Sequence, residues 1–281
     1  MILNPLRLKD YVTLGNILGG VASMIASIEG SPEWAALCML IAWVFDSFDG
    51  AVAKLTGGGN KFGEVFDNLA DLIAYSLAPT FLLYLMFRMP VESGGAGWPI
   101  WAAGAVAAIP TVFGCIRFTR NNVKEFTFRE YHLGLPRTVH AQFIASLMCS
   151  HLFRNAGITD PASLYNPVAY GLAAGFVAVT SLMILTLRPF HKRPRRGAPL
   201  WVKIFTTAFL GTSGLALVVA LVLRDLRLFF DMMTVSYALY TGLNWLIIPR
   251  SERAEARAWM GTVTAEWREE QRPGARSASP S

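Results

Sequence analysis

Residues 44–71 read VFDSFDGAVAKLTGGGNKFGEVFDNLAD, and this stretch decides both the fold and the chemistry of the chain. Its four aspartates come in two pairs, Asp46 with Asp49 and Asp67 with Asp71. The members of a pair are three or four residues apart, so on a helix they share one face. Only the short segment 55–62 separates the two helical runs, which makes them antiparallel neighbours. The sequence therefore predicts that the four carboxylates meet in one pocket.

The apolar runs around this stretch predict a membrane protein. Hydrophobic residues make up 53% of the 281 residues and charged residues 16%, with a mean hydropathy of +0.40. Soluble domains carry roughly 25% charged residues. Helices of about 20 apolar residues cross a bilayer, whereas open sheets do not. We therefore expect an all-α, polytopic transmembrane helical bundle of eight spans: 12–29, 34–54, 63–88, 98–118, 138–154, 166–187, 201–223 and 228–248.

Basic residues concentrate at one set of helix ends, and this asymmetry sets the expected orientation. By the positive-inside rule those ends, both termini and the aspartate pocket lie in the cytoplasm. We expect an integral protein of the bacterial inner (cytoplasmic) membrane. It has an interfacial segment at 1–11, a transmembrane domain at 12–248 and a cytoplasmic, largely disordered tail at 249–281. The formal charge of +6 is assigned to contacts with membrane lipids, and no nucleic-acid partner is expected.

The four acidic side chains predict a metal site. Carboxylates packed together repel, and burying each one alone is costly. Two divalent cations would balance them, and an all-oxygen ligand set favours Mg²⁺ or Mn²⁺. Such a pair of ions suits displacement at phosphorus. Three small residues, Gly50, Ala53 and Gly63, are expected to clear a strip where a nucleotide or phosphate approaches the backbone. A cation-coupled transporter remains the alternative, because acids within spans also mark ion pathways.

The pattern resembles the CDP-alcohol phosphatidyltransferases. The family signature joins D-x-x-D-G-x-x-A-R to G-x-x-x-D-x-x-x-D through a short spacer. The positions that match are Asp46, Asp49, Gly50, Ala53, Gly63, Asp67 and Asp71. Lys54 stands where the family has Arg, so it keeps the charge but lacks the planar guanidinium.

This resemblance implies a reaction and a division of roles. An alcohol attacks the β-phosphorus of a CDP-linked lipid, and CMP leaves. Asp46, Asp49 and Asp67 are expected to bind metal and diphosphate, and Lys54 to contact phosphate or lipid. Asp71 is expected to be both the last metal ligand and the general base for the incoming hydroxyl. Dimers are common in the family, so a homodimer is expected by analogy.

Three further segments resemble the phosphatidylserine synthases within this family: Tyr11–Asn16, Cys115–Asn121 and Leu133–Pro136. The resemblance implies CDP-diacylglycerol as donor and L-serine as the leading acceptor, with inositol phosphate, glycerol phosphate or choline as alternatives. Thr13 and Asn16 are expected to contact the cytidine. The expected acceptor-binding residues are Arg117, Arg120 and Arg137. These arginines would match a carboxylate, a phosphate or the headgroups of neighbouring lipids.

Overall fold

The computed structural model describes residues 7–55, 61–88, 98–123, 126, 128–129, 131–151, 153, 165–192 and 200–270. Most of these residues are helical. The elements in chain order are α1 (Leu8–Ile28), α2 (Pro32–Leu55), α3 (Lys61–Leu72), a π-helical turn (Ile73–Leu77), α4 (Ala78–Arg88), α5 (Ile100–Val123), β1 (Tyr131–Leu133), α6 (Arg137–Cys149), α7 (Tyr165–Leu185), β2 (Pro189–Lys192), α8 (Leu200–Val222), α9 (Leu226–Ile247) and α10 (Arg250–Glu270). The short strands β1 and β2 pair antiparallel.

The helices confirm an all-α membrane protein. Within the described part of the chain, four helical stretches are long and apolar enough to cross a membrane: Leu8–Ile28, Pro32–Val52, Lys61–Arg88 and Ile100–Val123. Shorter apolar stretches follow at Tyr170–Leu185 and Thr207–Val222. The count of eight spans and the placement of both termini in the cytoplasm stay predictions.

Small residues let α1 approach its neighbours closely. A Cβ added to Gly19 would lie 2.9 Å from the Ala42 backbone of α2, and one added to Gly20 would lie 2.9 Å from the Ala74 backbone in the π-helical turn. A Cβ on Gly15 would meet the ring of Phe45. Helices in membranes associate through such small-residue contacts, because lipid supplies no hydrophobic drive between them. This close packing places α1 against both helices that carry the aspartates.

The helix that carries Asp67 and Asp71 changes its winding just after them. The π-helical turn begins two residues after Asp71 and holds the buried Tyr75. Ser76 O accepts a hydrogen bond from Thr111 Oγ1 of α5 at 3.0 Å. Single π-helical turns occur frequently at functional sites, since they rotate the side chains on either side relative to one another.

At the opposite end of α2, a partly exposed network joins His151, just after α6, to the start of α9. The ring of His151 lies between two carboxylates, with Nδ1 2.7 Å from Asp231 Oδ2 and Nε2 3.1 Å from Asp225 Oδ2. Asp231 also accepts a hydrogen bond from the backbone N–H of His151. These contacts close the bundle at the end remote from the acidic residues.

Two expectations for the chain ends require correction. The first helix begins at Leu8 rather than at 12, so the second half of the predicted interfacial segment 1–11 belongs to α1, and residues 1–6 lie outside the described residues. Arg250–Glu270 form a helix, so the expectation of a largely disordered tail at 249–281 does not hold for them. Residues 271–281 are not among those described.

The tail helix α10 is ordered because one of its faces is covered. Trp259 packs on Phe128 and Trp267 on Phe126, each with ring centroids 5.1 Å apart. Ala256, on the same face, is fully buried. The apolar side chains of this face recur at helical spacing, but most residues between them are polar, which hides the pattern in the sequence.

Polar contacts add to the packing of α10. The hydroxyl of Tyr131 donates a hydrogen bond to Glu252, and Arg129 pairs with Glu255. Burial and the bond to Glu252 raise the pKa of Tyr131 well above its ordinary value, so the hydroxyl remains a donor. The helix is thereby attached to the segment between α5 and α6.

The close approach of α1 and α2 predicts that one methyl group added at Gly19 destabilises the protein. Gly19→Ala should reduce the free energy of unfolding by about 1–3 kcal/mol, because the new Cβ meets backbone that cannot move aside. Thermal unfolding in detergent measures the change. The matched control is Gly104→Ala in α5, where an added Cβ meets none of the described residues within 4 Å. Equal melting temperatures for the two variants would contradict this packing.

Candidate active site

The structure brings three of the four predicted aspartates together. The ligand oxygens of Asp46, Asp49 and Asp67 all lie within 4.8 Å of one another. Asp49 is buried, whereas Asp46 and Asp67 are partly exposed. The spacing of the pairs and the short connection between α2 and α3 explain this arrangement. These three carboxylates are thus neighbours in the structure, and their role as metal ligands stays a prediction.

Asp71 lies beside this group but has contacts of its own. Its Oδ1 accepts a hydrogen bond from Asn16 Nδ2 at 3.3 Å, and its Oδ2 faces Arg137 Nη2 at 3.2 Å. It still interacts electrostatically with Asp46 and Asp67. Asp71 is thus adjacent to the three grouped carboxylates and not one of them.

The three grouped carboxylates suit a hard divalent cation. Like charges at this separation repel strongly in partly buried surroundings. Asp67 Oδ1 is buried and, among the described residues, has no hydrogen-bond donor. Oxygen-only ligands on one side of a cleft are those that Mg²⁺ and Mn²⁺ prefer. The residues present therefore fit the metal that the sequence predicts.

Side chains of α1 hold two of the aspartates in place. Thr13 Oγ1 donates a hydrogen bond to Asp49 Oδ2 at 2.8 Å, and Asn16 bonds to Asp71 as described above. Both α1 side chains are fully buried. Donors that orient a carboxylate fix the direction of its remaining lone pairs. In this structure the two residues orient aspartates, and their expected contact with cytidine stays a prediction.

The small residues of the signature have different surroundings. Among the described residues, a Cβ on Gly50 would meet nothing within 4 Å. A Cβ on Gly63 would instead lie 2.6 Å from Asp10 Oδ1 and 2.8 Å from Lys9 Nζ. Gly63 therefore allows α1 to contact α3, rather than leaving free space for a ligand. The side chains of Ala53 and Lys54 lie outside the described residues.

Sequence reasoning missed three polar residues at the site. Asp10 is fully buried at the start of α1 and accepts a hydrogen bond from the backbone N–H of Arg7 at 2.7 Å. Asn68 Oδ1 lies 3.5 Å from Arg137 Nη2, and Tyr75 interacts electrostatically with Asp46. One signal was available for Asp10, because it precedes Thr13 by three residues and so shares its helix face.

The three arginines predicted to bind the acceptor make two kinds of contact: Arg137 faces an aspartate, whereas Arg117 and Arg120 donate to backbone carbonyls. Arg137 is 7% exposed and faces Asp71, and its Nη1 is buried with no hydrogen-bond acceptor among the described residues. Arg117 Nη1 donates to Leu135 O at 2.7 Å and to Ile184 O at 2.9 Å. Arg120 Nη1 donates to Leu185 O at 2.7 Å.

The carbonyls held by Arg117 and Arg120 belong largely to the last turn of α7. Cations stabilise helix C-terminal ends, where carbonyl groups lack partners. These two arginines therefore join α5 to α7 and to the start of α6. Arg137 is the one that faces an aspartate.

The hydrogen bond from Thr13 to Asp49 predicts that metal affinity depends on the Thr13 hydroxyl. Thr13→Val should weaken Mn²⁺ binding by roughly 10–100-fold, because Asp49 loses its orienting donor. Titration calorimetry or the electron paramagnetic resonance signal of free Mn²⁺ measures the affinity. Ser47→Ala is the matched control, since Ser47 is exposed and its Oγ donates to Trp43 O of its own helix. If both variants bind Mn²⁺ like the unmodified protein, the orienting role is wrong.

Comparison with known proteins agrees with this geometry. The family model for CDP-alcohol phosphatidyltransferase matches residues 7–159. The chain is 33% identical over 153 residues to CDP-diacylglycerol–serine O-phosphatidyltransferase of Helicobacter pylori strain 26695, covering 53% of this chain and 60% of the relative. It is 33% identical over 151 residues to archaetidylserine synthase of Methanothermobacter thermautotrophicus, covering 50% and 57% respectively.

The matches to these relatives have similar lengths. A third relative, CDP-diacylglycerol–serine O-phosphatidyltransferase of Mycobacterium leprae, is 26% identical over 153 residues, covering 53% of this chain and 49% of the relative. The chain thus spans about half to three-fifths of the length of these curated relatives. The matched region includes α1 to α6 and every residue of the acidic site. On this evidence the chain belongs to the CDP-alcohol phosphatidyltransferase family.

Proposed function

We propose that this protein transfers a phosphatidyl group from CDP-diacylglycerol to the hydroxyl of L-serine and releases CMP. The observation that carries the proposal is the group of Asp46, Asp49 and Asp67 next to Asp71, which Arg137 and Asn16 hold. Such an arrangement provides a place for the diphosphate and, beside it, a carboxylate that can receive a proton. The names of the related proteins support serine as the acceptor.

Asp46, Asp49 and Asp67 would hold the metal, as one or two Mg²⁺ or Mn²⁺ ions, with Asp71 at its edge. When bound, the metal neutralises the diphosphate and stabilises the charge that develops on the leaving CMP. The protein contributes the geometry, because Thr13 sets the direction of Asp49 and the α1 contacts hold both acidic helices. The space beside Gly50, where an added Cβ meets none of the described residues, would give the nucleotide access to this group.

Asp71 is the proposed general base. The neighbouring Arg137 favours its ionised form, which is the form that accepts a proton. In the proposed step the serine hydroxyl oxygen forms a bond to the β-phosphorus of CDP-diacylglycerol, and its proton passes to Asp71. The bond between that phosphorus and the bridging oxygen breaks, and its electron pair leaves with CMP. The site must also position the hydroxyl for attack.

Arg137 is the proposed contact for the acceptor. Its Nη2 holds Asp71, while its Nη1 is buried and without an acceptor within the described part of the chain. A carboxylate on the acceptor would accept a hydrogen bond from Nη1 of Arg137, and this would bring the acceptor hydroxyl close to Asp71. Arg117 interacts electrostatically with both Arg137 and Asp71 and would add positive charge to the same place.

The remaining parts of the proposal concern the donor and the membrane. Thr13, Asn16, Gly50, Ala53 and Lys54 are the proposed surroundings of the CDP moiety. The excess of basic residues at the same helix ends supports an active site that faces the cytoplasm of a bacterial inner membrane. Eight spans and a homodimer complete the proposed assembly.

An acceptor screen tests the reaction. Purified full-length protein in mixed micelles with CDP-diacylglycerol should release CMP when L-serine and Mg²⁺ or Mn²⁺ are present, and chelation of the metal should stop the release. The parallel acceptors are inositol phosphate, glycerol phosphate and choline. Faster CMP release with one of these would replace serine as the substrate. Cation flux into vesicles without any CMP release would instead support a transporter.

The role of Asp71 predicts a separation of turnover from metal binding. Asp71→Asn should slow CMP release by roughly 10²–10⁴-fold, the usual contribution of a general base. Mn²⁺ affinity should change much less, because the three grouped carboxylates remain. Glu64→Gln, which removes one exposed negative charge from the same helix, is the control and should keep its turnover. Undiminished CMP release from Asp71→Asn would remove Asp71 as the base.

A further inference from the structure

A second cavity lies away from the acidic site, between the C-terminal ends of α5 and α7 and the tail helix α10. We name it the α10 pocket; its volume is about 790 Å³. Its walls are mainly apolar and include Ile116, Val123, Leu185, Leu187, Val263 and Trp267. Pockets of roughly 300–1,000 Å³ with apolar walls and few polar groups are typical of sites for small organic ligands.

Arg120 is the charged side chain that lines this pocket. Its Nη1 bonds to Leu185 O, but its Nε is buried and, within the described residues, has no hydrogen-bond acceptor. The guanidinium carbon lies 6.0 Å from the centroid of the Phe126 ring. A buried N–H group of a cation that lacks an acceptor is costly, and an anion would satisfy it.

The position of the pocket along α5 makes a lipid the fitting occupant. Cys115 and Ile116, at one end of the pocket, belong to a helix apolar enough to cross the membrane, and their side chains are exposed. Arg120 follows about one turn later, toward the polar end of the same helix. An apolar cavity with a cation at one end matches an acyl chain joined to an anionic headgroup.

The adjoining tail is not complementary to this pocket. Residues 271–281 contain two arginines and no large apolar side chain. They would bring positive charge to a cavity whose own charge is positive and whose walls are apolar. The wall formed by α10 also lies beyond residues 7–159, the region matched by the family model. The pocket therefore combines α5, which lies inside the matched region, with α7 and α10, which lie beyond it.

We propose that the α10 pocket binds one anionic phospholipid, with its phosphate at Arg120 and an acyl chain between α5, α7 and α10. The bound lipid would join the tail helix to the membrane-crossing helices. This site is separate from the proposed transfer site and does not depend on the transferase reaction.

Lipid retention by the purified full-length chain tests the proposal. Native mass spectrometry after addition of phosphatidylglycerol, or of phosphatidylcholine with the same acyl chains, should show one retained phosphatidylglycerol and roughly tenfold weaker retention of phosphatidylcholine. Arg120→Gln should lower the retention of phosphatidylglycerol by roughly tenfold, toward that of phosphatidylcholine. Equal retention of the two lipids by the unmodified protein would overturn the proposal.

Two threonines on α10 form a matched pair for locating the site. Thr264 lines the pocket, whereas Thr262 is exposed, and each hydroxyl bonds to the carbonyl four residues earlier. Thr264→Phe should fill the cavity and reduce phosphatidylglycerol retention, while Thr262→Phe should not. Thermal unfolding of both variants without lipid shows whether α10 remains docked.

A spectroscopic measurement keeps the proposal testable if Thr264→Phe fails to fold. Phosphatidylglycerol with brominated acyl chains should quench tryptophan fluorescence more in the unmodified protein than in Trp267→Phe, because Trp267 lines the pocket. Equal quenching of the two proteins would overturn the assignment. Oxidative cross-linking of two copies through Cys115 that excludes the added lipid would assign the pocket to a second copy instead.

Discussion

The structure places four aspartate side chains close together at one end of an apolar helical bundle, and the other contacts of the site depend on how these carboxylates are stabilised. Carboxylates in such surroundings are stable only with nearby donors or cations, because desolvation and mutual repulsion both oppose them. In this protein Thr13 donates a hydrogen bond to Asp49, and Asn16 and the guanidinium of Arg137 contact Asp71. The carboxylates of Asp46, Asp49 and Asp67 still repel one another, so this end of the bundle fits the divalent cation proposed above.

Close helix packing is the condition for these contacts. Thr13 reaches Asp49 because α1 lies against α2, and the close backbone contact at Gly19 permits that approach. Gly63 does the same between α1 and α3, where any side chain would meet Asp10 and Lys9. The glycines of α1 and α3 therefore support the site through helix packing, whereas a Cβ on Gly50 would meet none of the described residues.

The three arginines Arg117, Arg120 and Arg137 have different roles in the structure. Arg117 and Arg120 satisfy carbonyl groups near the end of α7 and so tie the second half of the chain to α5. Arg137 instead pairs with Asp71. Since a guanidinium has five N–H donors, a structural bond through one nitrogen leaves others free for a ligand.

The sequence by itself determined the helical membrane class, the family and the grouping of Asp46, Asp49 and Asp67, because helical spacing and a short connection leave few alternatives. It did not show that α1 holds the aspartates, that Arg117 and Arg120 bind backbone carbonyls, or that Arg250–Glu270 form a docked helix. Those features were decided by tertiary structure alone. They depend on contacts between residues far apart in the chain, and local periodicity carries no information about which helices become neighbours.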